Sequence, residues 1–198
     1  MIDKMNIKIN EKESLAAKST DKEDKFIPNP TGEIFDYFIY PDGKKVLIHH
    51  GKNLVVNVAR NLMAALMKSE AGFGGITYWA IGSGSSEWSD ESPPAPELTD
   101  TALLSETYRK AVVPASDIVF LDESEEETLD VTNKIKITVT FSESEGNGSL
   151  REFGLFGGDA SAVSGSGIMI NRKTHGLIYK TSSLQLQRVL ILTFPYGE

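Results

Sequence analysis

The segment Lys134-Ile135-Lys136-Ile137-Thr138-Val139-Thr140-Phe141 limits most sharply what this chain can fold into. Ile135, Ile137, Val139 and Phe141 alternate with Lys134, Lys136, Thr138 and Thr140. A period of two places the apolar set on one face and the polar set on the other, which makes the segment a strand with one buried and one wet face. Such a strand needs partners and a second layer. Seventeen glycines and eight prolines supply the turns between them,.

Other segments read the same way. Residues 34–40, IFDYFIY, and 45–50, KVLIHH, flank Pro41-Asp42-Gly43 and form a predicted hairpin,. Strands are also expected over 76–82, 106–114, 116–122 and 151–158, then in GIMINR, LIYK and LQLQRVLILTF. In the last of these Leu184, Leu186, Leu190, Leu192 and Phe194 share a face with Arg188. A charge among them requires a partner or an edge position. One segment changes period: from Val58, apolar side chains recur at Leu62 and Leu66, which predicts a helix over about 58–68 with Asn57 as its N-cap and Gly72 as its stop,. The expected fold is mainly β, an antiparallel β-sandwich or flattened barrel over 31–198 with that helix packed on it.

Residues 1–30 stand apart. Residues 1–25 hold six lysines and six acidic residues with few apolar groups. This segment is expected to be an extended arm that is disordered alone or ordered against a neighbour. It ends at Phe26-Ile27-Pro28-Asn29-Pro30, where Phe26 and Ile27 are candidate partner contacts.

The chemistry of the chain excludes more than it nominates. A net charge of −8 without a basic patch argues against nucleic acid,. With no cysteine there is neither a disulfide nor a thiolate metal site,. The charged N-terminus lacks the apolar core of a secretion signal, and no run reaches the roughly 20 apolar residues that cross a bilayer, so membrane insertion is not expected. Ile81-Gly82-Ser83-Gly84-Ser85-Ser86 lacks the lysine of a phosphate loop, the third glycine of a dinucleotide fingerprint and the order of a nucleophile elbow, and reads as a turn,. His49 and His50 are adjacent, so a strand points them to opposite faces, and His175 sits in a predicted turn,. No metal, cofactor or catalytic residue is expected. The acidic run 122–127 reads as a solvated hairpin tip, and Asn147-Gly148-Ser149 as a tight turn,. Trp79 belongs to an apolar strand and is a core residue. Trp88 lies in a polar loop, either tucked under it or presented to a partner or a sugar,.

The order of segments carries a further signal. NLVVNVARNLMAALM, ITYWAIGSGSS, LTDTALLSETYRK, KIKITVTFSESEGNGSLREFGLFGG and LIYKTSSLQLQRVLILTF, spanning about 50–196, together resemble small virion proteins of tailed bacteriophages and prophages, described as tail-fibre, collar or baseplate-associated. The resemblance implies a non-enzymatic β-rich subunit, made in the bacterial cytoplasm and placed in the virion. It implies contact with copies of itself or other virion proteins as partners, and it transfers no catalytic residue. Two alternatives are a carbohydrate-binding module for host-surface glycan, with Trp88, Tyr78 and Tyr108 stacking on sugar, and a capsid decoration protein.

Overall fold

A computed structural model describes residues 30–196. Ten strands form one antiparallel sheet: β1 (Thr31–Ile39), β2 (Lys45–Val55), β3 (Gly74–Gly82), β4 (Glu106–Ala111), β5 (Ile118–Leu121), β6 (Glu127–Thr128), β7 (Lys134–Phe141), β8 (Gly148–Gly158), β9 (Ile168–Lys180) and β10 (Gln185–Thr193). Their spatial order is β4-β3-β8-β9-β2-β1-β10-β7-β5-β6. β2 and β9 pair only through Leu54–Arg172 and Val55–Asn171. At that narrow join the sheet divides into two layers, and it does not close into a barrel. The layers face each other: Ile34, Ile137, Phe141 and Leu190 from one meet Trp79, Phe153 and Leu155 from the other in a shared core. Each such side chain contributes about 1.5–3 kcal/mol by leaving water. The chain is therefore mainly β and sandwich-like, as its alternating segments predict.

The outer face of the β4-β3-β8-β9 layer is also covered. Ala80, Phe156 and Met169 pack there against Val56 and Leu103. Residues 83–105 cross this side, and Leu177 N–H donates to the Asp90 carbonyl at 2.7 Å, which caps an edge of β9 that β2 leaves open,.

One helix of the expected place and length is present, α1 (Ala59–Met67). Its caps differ from expectation. Val58 is already helical, and the Asn57 side chain accepts from Arg60 Nη1 instead of capping an amide. At the other end Ser69 takes the left-handed conformation at φ 58°. Ser69 N–H donates to Leu66 O and Glu70 N–H to Ala65 O, so the helix stops before Gly72 is reached,. The expected strand 106–114 ends at Ala111, because Pro114–Asp117 forms a short turn, α2, whose Asp117 carboxylate accepts the Val113 amide. The acidic run is a tight turn in which Asp122 Oδ1 accepts the amides of Ser124 and Glu126. GIMINR and LIYK are one continuous strand, and His175 lies inside it instead of in a turn. The polar residues that suggest a break are buried and find partners across the fold: Asn171 Oδ1 accepts Leu155 N–H, though Asn171 Nδ2 has no partner among the described residues, and Thr174 donates to Pro94 O.

Candidate functional site

At one end of the sandwich the two layers part and α1 bridges them incompletely. The result is an apolar mouth of about 390 Å³. Ile118, Ile135 and Leu192 line it from one layer, Ile76 and Ile170 from the other, and Leu66 from the helix. Pro30, the first described residue, also lines it, as it lines an adjacent hollow of about 520 Å³ that shares Val55, Met63 and Phe194. On the helix side Met63 and Leu66 are exposed at its rim, and Met67, at 88 % of its free area, is exposed on the adjoining hollow. This mouth lies where the N-terminal segment joins the folded body.

The centre of the sandwich has opposite chemistry. Asp36 and Arg188 are direct cross-strand partners on β1 and β10, both fully buried between the layers. Arg188 Nε lies 3.4 Å from Asp36 Oδ1, and His49 Nδ1 lies 3.0 Å from Asp36 Oδ2. From the opposing layer His175 Nε2 lies 3.0 Å from Arg188 Nη2. Arginine can only donate, so Nε2 accepts, and the His175 proton sits on Nδ1, which donates to Gly176 O at 2.7 Å,. The Arg188 guanidinium also stands 4.7 Å from the Phe153 ring centroid, a cation–π contact,. Burial, followed by the Arg188 charge, pushes His175 down to about 3. Burial pushes the Asp36 carboxyl up, but Arg188 and the His49 hydrogen bond outweigh it, and the net shift is downward. Arg188 is therefore neutralised by Asp36 and hydrogen-bonded through Nη2 alone, while its Nε and Nη1 and Asp36 Oδ1 stay buried without a hydrogen-bond partner among the described residues. The group can hold the layers in register, and none of its four residues lines the hollows at the helix end or beside Trp88.

A second buried carboxylate positions the 83–105 loop. Glu152 accepts the amides of Leu104 at 3.1 Å and Ser105 at 2.8 Å, and pairs with Arg172, which also reaches Asp100 at 2.9 Å. The Gly82–Ser86 corner behaves as a turn. Gly84 is at φ +63°, and a Cβ there would collide with the Trp88 ring, so the absence of a side chain lets the indole lie on the backbone. Trp88 is thereby half-buried, and its remaining edge borders a polar hollow of about 200 Å³ with Glu97, Asp100 and Arg172.

The other sequence-derived candidates are dispersed. Tyr108 pairs with Ile81 and Tyr78 with Ala111, so the two tyrosines lie on opposite faces of their layer and form no common platform with each other. Tyr108 packs edge-on to Phe141 and donates to Glu145, while Tyr78 lies beneath Arg109. His50 turns away from His49, stacking on Phe35 and bonding Glu33. Phe26 and Ile27 lie outside the described residues. Among the described residues no three histidines or carboxylates gather as a metal site, and no helix is long and apolar enough to cross a membrane. Sequence reasoning did not anticipate the mouth or the His175–Arg188 bridge; only the misplaced charge on β10 pointed towards the bridge. A scan of protein-family models gives no match to this chain, and a search of curated proteins gives none.

Proposed function

We propose that the chain is a non-enzymatic structural subunit of a tailed-bacteriophage virion, acting in tail, collar, baseplate or fibre attachment through contacts with copies of itself and other virion proteins. The observation that supports this reading is the apolar mouth at the root of the N-terminal segment, edged by Met63 and Leu66, with Met67 beside it on the adjoining hollow. An apolar rim beside a segment rich in charged residues suits assembly, since the rim gains by leaving water and such a segment can cover a neighbour. The segment order over 50–196 supplies the virion context. Deleting residues 1–25 is expected to leave the melting temperature of the body unchanged while depleting the protein from particles. Normal incorporation of the truncated chain would refute the assembly role of that segment.

A second reading rests on Trp88. An indole edge beside Glu97, Asp100 and Arg172 offers the stacking surface and hydrogen-bonding groups that a sugar uses,. Titration of tryptophan fluorescence with host polysaccharide tests it, and an unchanged signal would remove it.

A further inference from the structure

We infer that Phe26 and Ile27 of the chain's own N-terminal segment fill the apolar mouth beneath α1. The lining has no charged or polar side chain, from Val55 and Ile76 through Ile118, Ile135 and Ile170 to Phe194. Only an apolar occupant can enter without losing hydration it cannot replace. The chain supplies one at the right place. Pro30 lines the mouth, and Phe26 stands four residues before it, a reach of at most about 14 Å,.

The upstream sequence fixes the register. Ala16–Lys25, AAKSTDKEDK, contains no large apolar residue, so Phe26-Ile27 is the first pair that can enter and Leu15 is the next single candidate. The charged residues 21–25 cannot follow it in and must leave over the rim. A proline fixes its own φ and disfavours a helical residue before it, so the order Ile27-Pro28-Asn29-Pro30 lowers the conformational freedom to be lost on docking,. A tether this short gives the pair an effective concentration in the millimolar range, well above that of a neighbouring subunit in dilute solution. The docking concerns the isolated subunit and stands apart from the assembly reading. Where that reading holds, an anchored root aims residues 1–25 at neighbours.

The absence of cysteine allows a clean test. Lys25→Cys and Met67→Cys are introduced together into the full chain, and disulfide formation is followed at low protein concentration on non-reducing gels. Both positions spare the proposed anchor, and Met67 is exposed, so the body folds,. The expected product has monomer mobility. Adding Phe26→Asp and Ile27→Asp is expected to slow its formation by at least about tenfold, the loss of the docked population beyond simple tethering. Equal rates in the two backgrounds would overturn the inference, since tethering alone would then account for the bond. A product of dimer mobility would overturn it in favour of a second copy's segment. Truncating residues 1–24 leaves this assay intact, so its failure and failure of particle incorporation are read separately.

Discussion

At the centre of the sandwich Asp36, His49, His175 and Arg188 answer one another across the two layers, whereas beneath α1 the layers part and Ile118, Ile135 and Ile170 face a hollow. The first region buries charge and closes on itself. The second exposes apolar surface that the described residues leave uncovered. The contrast teaches where to look for a partner: polar groups committed to each other in the interior set register, and an apolar rim at a chain terminus is what a partner can still gain from covering.

The largest effect is expected at the centre. Arg188→Met leaves Asp36 buried without its cation and should cost about 3–5 kcal/mol in urea unfolding. Asp36→Leu combined with Arg188→Met should recover most of that loss, because no orphaned charge remains. A double variant as unstable as the single one would mean that the pair does more than satisfy itself.

Acid probes the same region. His175 has an ordinary value of 6.5 and is held at about 3 in the fold. Between those values the unfolded chain takes up the proton first, so stability falls as pH falls from 6.5 towards 3 and is fully retained above that window. Each unit of separation corresponds to about 1.4 kcal/mol, so the total loss is of the order of a few kcal/mol. Asp36, also held low, adds its own loss as pH drops through its depressed folded value. His175→Gln removes the first component while keeping an acceptor for Arg188, and its denaturation midpoint should depend less steeply on pH across the window.

Effects shrink with distance from the centre. Glu152→Gln weakens a carboxylate that holds two loop amides and Arg172, at a cost of about 1–3 kcal/mol, with proteolysis within 83–105 as the local readout,. Gly84→Ala strains a left-handed position and displaces the Trp88 ring, costing about 1–2 kcal/mol and shifting tryptophan emission towards that of exposed indole,.

The legibility of these regions in the sequence follows from what each depends on. Period-two alternation is local, so Lys134–Phe141 and the 34–50 hairpin read directly from residue order. The helix was equally legible, but its ends were not: Asn57 and Gly72 carry the right side chains, while Val58 and Ser69 carry the conformations, with the Asn57 amide donating to the distant Leu98 carbonyl and two hydrogen bonds closing the far end. β9 was misread because Asn171, Thr174 and His175 look like turn residues until Leu155, Pro94 and Arg188 supply their partners from far along the chain. Arg188 announced a buried charge, and only the pairing of β1 with β10 named Asp36 as its answer. The mouth was invisible for the same reason, since its lining comes from six strands, both helices, Pro30 and Phe194, and no single segment contains its pattern.

The smallest effect on stability tests the central contrast most directly. Met67→Asp places a charge beside the exposed rim, where the cost to the isolated fold should stay within about 0.5 kcal/mol,. The decisive measurement is the copy number of this variant in purified particles beside its melting temperature in solution. The proposed assembly role predicts an unchanged melt with strongly depleted particles. An unchanged melt with full copy number would contradict it, and would leave the rim as ordinary surface.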